Sequence, residues 1–295
     1  MKKCAIDGKT VRDLEQVHRI LVRDLELPAW YGGNLDSLYD CLSEPADRTL
    51  ELYHLDALKE ALGKGGDRLL RCLKDAAREN PRFVLRLGRR SIDLETWSRR
   101  EQYALFSHSA NPRYSVAFPL DVTPVYRYAK ARGLSFYYAM TWLCTRAANT
   151  VPALRTSFDR GEPVLLDRRV PSFIDLKRGS DALKIVTMEM EPALESFCAA
   201  AKARSESQST LFGAEERDDA LYISCLPWVP FTALTNENSG DRDDAFPRVA
   251  WGKYLEQNGR KVLTVSLEVN HRLVDGYHIG QFYEAFCREI EKLEA

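Results

Sequence analysis

One histidine stands where a base for proton transfer could work. His271 lies in the segment Asn270-His-Arg-Leu-Val-Asp-Gly276, after a run of alternating apolar and polar residues from Leu263 to Val269. The alternation predicts a strand, and His271 continues its apolar side toward the interior at the end of that strand. Asp275, four residues later, makes an oriented general base possible. A buried core histidine with an ordinary hydrogen bond fits the same spacing.

A second chemical group is a pair of carboxylates beside a tyrosine near the N-terminus. Asn34 can cap a helix whose leucines face the core. Asp36, Tyr39 and Asp40 then share the outward side of that helix. The helix dipole favours a carboxylate at Asp36. The like charge of Asp40, four residues later, lowers the stability of the helix by roughly 0.2 to 0.5 kcal/mol. Such a face suits a cationic partner such as the phosphate-binding pocket of a ribonuclease, and an ordinary solvated helix face is the alternative.

The elements that must position these residues fall into two groups. In the first group the patterns predict a strand at 3–6, helices at 11–25, from Asn34 and at 67–78, and a strand at 83–87. In the second group they predict strands at 114–120, 221–225 and 262–269, two strands flanking Gly161, and helices at 124–132, 136–149, 192–204 and 280–293. The glycine- and charge-rich run 88–93 separates the groups.

The chain length supports the same division. A chain of 295 residues exceeds what one hydrophobic core usually organises, so two domains are expected. We predict a first domain at 1–88, a linker at 89–91 and a second domain at 92–295. Strands and helices intermix in the second domain without a repeat, which predicts a two-layer α/β architecture.

The composition narrows the class of protein. The formal net charge is -1 and basic residues form no stripe with aromatics, which argues against binding to nucleic acid. Apolar stretches are too short for a signal peptide or a bilayer span, so we expect a cytoplasmic protein without a membrane partner. The cysteines are scattered and never paired as C-x-x-C, and the histidines avoid ligand spacings, so we expect neither disulfides nor a metal site.

The most distinctive stretch of the first domain is Leu27-Pro-Ala-Trp-Tyr-Gly-Gly-Asn-Leu-Asp-Ser-Leu-Tyr-Asp-Cys-Leu42. With the opening Lys-Lys and the order of strands and helices, it makes residues 1–88 resemble barstar, the intracellular inhibitor of the ribonuclease barnase. The resemblance implies a small α/β domain and a barnase-type ribonuclease as partner. The inhibitory residues would be Trp30, Asp36, Tyr39, Asp40 and Asp75. Because Trp30, Tyr39 and Asp75 differ in type from the residues of barstar, the identity of the nuclease stays open.

Several segments of the second domain occur in the same order in one known family. They are Trp97-Ser-Arg-Arg-Glu101, Leu120-Asp-Val-Thr123, Leu226-Pro-Trp-Val-Pro-Phe-Thr232, Gly252-Lys-Tyr254 and Asn270-His-Arg-Leu-Val-Asp-Gly-Tyr-His278. Together they make residues 92–295 similar to chloramphenicol acetyltransferases over nearly the full family length. The resemblance implies a two-layer α/β sandwich of that type and a homotrimer with active sites at subunit interfaces. It also implies acetyl-CoA as cosubstrate and a small hydroxyl-bearing acceptor.

The same resemblance implies roles for single residues. His271 would remove the proton of the acceptor hydroxyl, which attacks the thioester of acetyl-CoA directly, and Asp275 would pair with Arg99 to hold the loop in shape. Tyr254 would contact the adenine end of the coenzyme, and Phe106 would line the acceptor pocket. For Tyr254 and Phe106, ordinary core packing is the alternative.

Two alanines depart from the family pattern. Ala233 stands where the family places a serine hydroxyl against the oxyanion, and Ala250 where a threonine supports a bound water. Loss of one oxyanion donor typically costs about 10²- to 10³-fold in rate. The resemblance makes an O-acetyltransferase with a barstar-like partner-binding domain the leading hypothesis. The alternative is a ribonuclease inhibitor or immunity protein whose acetyltransferase-like domain is an inactive oligomerising scaffold.

Overall fold

The chain folds as two compact units. A computed structural model describes residues 2–177, 179–213, 217–237 and 239–294. The first unit runs to Ile92 and also includes Glu162–Asp167. The second unit holds Asp93–Gly161 and the chain from Arg168 onward.

The strands and helices follow each other along the chain in a mixed order. The strands are β1 (Lys2–Asp7), β2 (Arg48–Tyr53), β3 (Phe83–Leu87), β4 (Arg89–Ser91), β5 (Arg113–Asp121), β6 (Thr156–Asp159), β7 (Glu162–Leu166), β8 (Val170–Leu176), β9 (Leu183–Thr187), β10 (Ala220–Leu226), β11 (Arg248–Gly252), β12 (Leu255–Gln257) and β13 (Arg260–Asn270). The α-helices are α1 (Leu14–Leu25), α2 (Leu35–Ser43), α3 (Leu55–Leu62), α4 (Lys64–Glu79), α5 (Arg100–Phe106), α6 (Thr123–Arg132), α7 (Phe136–Thr150), α8 (Leu194–Ser207) and α9 (Gly276–Glu291). Short 3-10 turns lie at Gly8–Thr10 and Pro152–Arg155.

The first unit is built on a parallel sheet in the order β1-β2-β3. Its core consists of apolar side chains from this sheet and from α1 to α4, among them the fully buried Leu21, Leu38, Leu50 and Leu73. As the sequence predicts, Asn34 caps α2, since its side-chain oxygen accepts the backbone N–H of Ser37 at 2.9 Å. This cap fixes where α2 begins, and with it which side chains face outward.

The structure differs from the sequence expectation at residues 89–91. These residues form strand β4, which pairs antiparallel with β7 and aligns Arg89 with Leu166 and Ser91 with Val164. A charge-rich run beside a glycine resembles a turn, because its partner strand lies far along the chain and is invisible to local patterns. The segment predicted as a linker is therefore part of the first unit.

The second unit contains a mixed sheet in the order β12-β13-β11-β10-β8-β9. The strands β11 and β12 pair with successive parts of one edge of β13, and β5 pairs with its other edge. The central helix is α7, which packs on α6, α8 and α9 and contacts β8 and β10. Most side chains of α7 between Ala139 and Ala148 are buried. The apolar residues of β13, including Val265 and Val269, complete the same core. Helices packed on a sheet give the predicted α/β architecture.

Candidate active site

His271 is the first residue after β13, the strand that lies between β5 and β11. Its backbone N–H donates to the carbonyl oxygen of Pro112 at 2.7 Å, which fixes the chain at the point where β5 begins. The imidazole is half-buried. Its Nδ1 atom is buried and accepts or donates no hydrogen bond among the described residues. Nε2 is therefore the nitrogen that can meet a ligand.

Two aromatic rings hold the imidazole from both sides. The ring of Phe106 at the end of α5 stacks on His271 with centroids 3.7 Å apart and planes 16° apart. The ring of Tyr114 in β5 stacks on it at 4.2 Å and 27°. Such stacking restricts rotation of the imidazole and leaves its edge as the reactive part.

An ion pair closes the loop that follows His271. Asp275 is the N-cap of α9, and its carboxylate accepts a hydrogen bond from the guanidinium of Arg99, the N-cap of α5. Burial alone would raise the pKa of Asp275, but the hydrogen bond and charge of Arg99 outweigh burial and lower it. The carboxylate is thus ionised at neutral pH, and the pair joins the starts of the two helices that flank His271.

Tyr114 was not predicted as a site residue. Burial and the nearby charge of Asp275 raise the pKa of its hydroxyl to about 12, so the hydroxyl is neutral. The hydroxyl oxygen is buried and has no hydrogen-bond partner in the described part of the chain. Its position depends on the register of β5 with β13, in which Tyr114 aligns with Val269. The sequence predicts the strand but not its partner, so no local signal could have identified this residue.

The two alanines occupy different environments. Ala250 is buried in β11 and aligns with Ser266 of β13. Ala233 is exposed in the segment after β10. The hydroxyl of Ser266 donates to the carbonyl oxygen of Leu234, the residue after Ala233, at 3.0 Å. Its proton is therefore not free to donate to an oxyanion.

The structure brings together four of the predicted residues, His271, Asp275, Arg99 and Phe106, in one site. Tyr254 lies elsewhere in the second unit. Its ring contacts Tyr126 and Phe136 edge to face, and the ammonium group of Lys261 lies 4.4 Å from its centroid.

The first unit places its predicted partner-binding residues along α2, α4 and the loop before α2. Trp30 is 56% exposed, and Asp36 and Asp40 are exposed on α2. Asp75 on α4 forms an ion pair with Arg78 at 3.1 Å.

Tyr39 joins this face to a residue that the sequence did not indicate. Its hydroxyl donates to the carboxylate of Glu79 on α4. That hydrogen bond is the main reason why the pKa of Tyr39 is raised, so the hydroxyl stays a donor. The helices α2 and α4 pack on each other, and the charges of both Glu79 and Asp75 act on Tyr39; Asp36, Asp40, Asp75 and Glu79 are here called the acidic face.

The described residues contain no group of three or more histidine, cysteine or acidic side chains placed to hold a metal ion. Across the same residues, every helix is too short or too polar to cross a membrane.

Two family models match the chain. The chloramphenicol acetyltransferase model matches residues 88–286, and the barstar (barnase inhibitor) model matches residues 1–89. Both resemblances predicted from the sequence are thereby confirmed.

Curated relatives and solved structures cover the same region. Chloramphenicol acetyltransferase 2 of Escherichia coli is 30% identical over 208 residues, which span 68% of this chain and 98% of the relative. The enzyme of the same name from Haemophilus influenzae is 29% identical over 209 residues with the same coverage. A solved chloramphenicol acetyltransferase covers 68% of this chain and 99% of its own, with a TM-score of 0.64 at 23% identity. At that identity the likeness shows the fold, and it confirms the predicted fold class.

Proposed function

The chain belongs to the chloramphenicol acetyltransferase family, and we propose that its second unit transfers an acetyl group from acetyl-CoA to a hydroxyl of a small acceptor, with His271 as the general base. The coarser assignment, an acyltransferase, follows from the family itself. The observation that carries the finer one is the imidazole of His271, fixed between two aromatic rings with Nδ1 buried. A base must be held in one orientation to act on one hydroxyl.

The reaction requires a neutral imidazole with its proton on Nδ1. Nε2 removes the proton of the acceptor hydroxyl, and the hydroxyl oxygen attacks the carbonyl carbon of the thioester. Collapse of the tetrahedral intermediate breaks the carbon–sulfur bond, and the departing thiolate takes the proton back from Nε2. The products are an acetyl ester and free coenzyme A thiol. Chloramphenicol is the first acceptor to test, since relatives carry its name.

Asp275 and Arg99 act through position and not by contact with the reacting atoms. Their ion pair joins the N-cap of α9 to the N-cap of α5, so it fixes the loop after His271 and the helix that carries Phe106. Phe106 borders the space beside the imidazole and would contact the acceptor. Tyr254 remains the proposed contact for the adenine of the coenzyme, supported by its partly exposed ring.

The replacement His271→Ala tests this proposal. Loss of the general base is expected to lower acetyl transfer by about 10²- to 10⁴-fold, measured as release of thiol from acetyl-CoA in the presence of hydroxyl acceptors. The full chain is expected to be a homotrimer by light scattering, and the variant is expected to keep that state. Thiol release that is the same in the variant and the parent protein would remove His271 from the mechanism.

As a second function, we propose that the first unit binds a barnase-type ribonuclease. The match of the barstar model and the acidic face support it, because exposed carboxylates can oppose the cationic phosphate-binding site of such an enzyme. Should the parent protein release no thiol with any acceptor, this binding would be its function and the second unit an oligomerising scaffold.

The test of this second function uses the full chain. The double replacement Asp36→Asn with Asp40→Asn is expected to weaken inhibition of the ribonuclease at least 10-fold, and more at low salt than at high salt. Glu60→Gln, an exposed carboxylate on α3, is the matched control and is expected to change nothing. Absence of inhibition by the parent chain at micromolar concentration would argue against the whole assignment.

A further inference from the structure

We propose that Arg272 is a positioning residue that clamps α5 and residues 242–244 to the strand end, so that Phe106 keeps its place on the imidazole of His271. Arg272 directly follows His271, and it is only 7% exposed. The inference deepens the proposed acetyl transfer and rests on it for the kinetic part of its test.

The guanidinium holds α5 by two hydrogen bonds on either side of Phe106. Nη2 donates to the hydroxyl oxygen of Tyr103 at 3.0 Å. Nε donates to the hydroxyl oxygen of Ser107 at 3.2 Å. Phe106 lies between these two residues in sequence, and its ring is the one stacked at 3.7 Å on His271. Arg272 thus binds α5, the helix that carries the stacked ring of Phe106.

The same guanidinium holds the segment 242–244. Nη1 donates to the carboxylate of Asp243 at 2.6 Å and to the carbonyl oxygen of Arg242 at 3.2 Å. The guanidinium of Arg242 in turn donates to the carbonyl oxygen of Ser107, at the end of α5. Arg272 therefore joins two segments that also bind each other.

Asn270, on the other side of His271, completes the clamp. Its side-chain nitrogen donates to the carbonyl oxygens of Arg242 at 2.9 Å and Asp244 at 3.0 Å. Its side-chain oxygen accepts the backbone N–H of Arg272 at 3.1 Å. Both neighbours of His271 thus fasten the chain to residues 242–244, which leaves the backbone at the base little freedom.

The helix α5 needs this clamp because it has no fully buried side chain of its own. Apolar burial is the usual force that fixes a helix in place, so α5 depends on polar links. A buried guanidinium is costly unless its donors are satisfied, and here Arg272 also stacks on Phe158 at 4.2 Å. Lysine could not replace it, since a single ammonium cannot donate in these diverging directions.

The proposal predicts a spectroscopic change that does not depend on activity. The Cε1–Hε1 resonance of His271, assigned by its loss in His271→Gln, is expected to be displaced by the two stacked rings. In Arg272→Met, an apolar side chain of similar length, this resonance is expected to move toward that of an exposed histidine. Phe106→Ala is the positive control. Arg260→Lys, at a 72% exposed side chain of β13, is the negative control and is expected to leave the resonance in place.

The kinetic expectation is specific to the acceptor side. Arg272→Met is expected to raise the KM for the acceptor at least 10-fold while the KM for acetyl-CoA changes less than twofold. Should Arg272→Met not fold, Arg272→Lys and Asp243→Asn remove the fork or one of its partners and are expected to shift the resonance in the same direction.

The resonance and the thiol release answer separate questions. A resonance of His271 that is unchanged in each folded Arg272 variant would overturn the clamp, even if acetyl transfer were intact. A parent protein without thiol release would overturn the proposed function, and the resonance would still decide the role of Arg272.

Discussion

His271 is oriented by rings and backbone, since its Nδ1 atom has no partner among the described residues. The rings of Phe106 and Tyr114 cover the two faces of the imidazole, which fixes the plane of the ring. The hydrogen bond from the backbone N–H of His271 to the carbonyl oxygen of Pro112 fixes the backbone from which the imidazole extends. Base and covering rings therefore form one packed unit at the end of β13.

Position 233, where the family resemblance implies a serine hydroxyl against the oxyanion, carries alanine in this chain. Ala233→Ser is expected to raise the rate of acetyl transfer by about 10- to 100-fold, because one oxyanion donor is typically worth about 10²- to 10³-fold and the new hydroxyl is not fully preorganised. Thiol release under saturating acetyl-CoA measures it. Thr235→Ser, which changes an exposed hydroxyl residue of the same segment, is the control. A rate that stays at the parent value would mean that another donor already serves the oxyanion.

The residues that the sequence identified are those in short motifs. His271 and Asp275 share one motif and Arg99 lies in another, while Phe106 follows the second motif and was indicated by the resemblance alone. Arg272 lies in the motif of His271, but its role depends on Tyr103, Ser107 and Asp243, which come from distant segments.

At the scale of elements, the ion pair of Arg99 with Asp275 links two helix starts. Asp275→Asn leaves the guanidinium of Arg99, with its side chain 11% exposed, without a charged partner. The expected loss is roughly 2 to 3 kcal/mol in the stability of the second unit, somewhat below the 3 to 5 kcal/mol of a fully buried pair. Calorimetry at pH 7 measures it, with Asp181→Asn, an exposed residue, as the control.

The same replacement has a defined pH dependence. The pKa of Asp275 is lower in the folded chain than its ordinary value of about 3.9, so the unfolded chain binds the proton more readily. The stabilisation is complete above that value and is lost as the pH falls through the lowered pKa. The difference between parent and Asp275→Asn is thus expected to shrink below about pH 4. A difference that is constant from pH 7 to pH 3 would contradict the ion-pair explanation.

Elements with a long alternating or apolar pattern were predicted closely, and several shorter elements were missed. The strand predicted at 262–269 is β13, and the helix predicted at 136–149 is α7. In β2 five successive residues are buried, among them Arg48 and Glu51, and the burial of charged residues cannot be read from residue type. The helix α5 buries no side chain, so no apolar stripe shows it.

The start of α3 shows a different limit of prediction. His54, its N-cap, makes no side-chain cap, and the backbone N–H of Leu55 donates instead to the carboxylate of Asp167 at 2.9 Å. A cap that comes from so far along the chain leaves no local sequence signal.

At the scale of the whole molecule, the first unit is not a continuous stretch of sequence. The segment Glu162–Asp167 belongs to it, and Arg86 of β3 donates to the carboxylate of Glu162 at 2.6 Å as well as to the buried Glu51 at 3.0 Å. Removal of the segment would leave a buried guanidinium with one partner fewer and α3 without its cap.

A fragment of residues 1–92 is therefore expected to be several kcal/mol less stable than the same fragment with residues 161–168 appended through a glycine-serine linker. Loss of the α3 cap alone is worth about 1 kcal/mol, and the strand pairing of β4 with β7 adds to it. Urea unfolding followed by circular dichroism compares the two, and an appended segment of scrambled order is the control. Equal midpoints for all three fragments would show that the first unit is complete without β7.

This discontinuity also sets an order of events during synthesis. A nascent chain usually folds its N-terminal domain first, yet here the first unit cannot reach its final form until Asp167 has left the ribosome. By then β5, α6, α7 and β6 of the second unit have already emerged. Any gene fusion that joins the barstar-like module to a new enzyme must carry residues 162–167 along with it, or supply a strand and a carboxylate in their place.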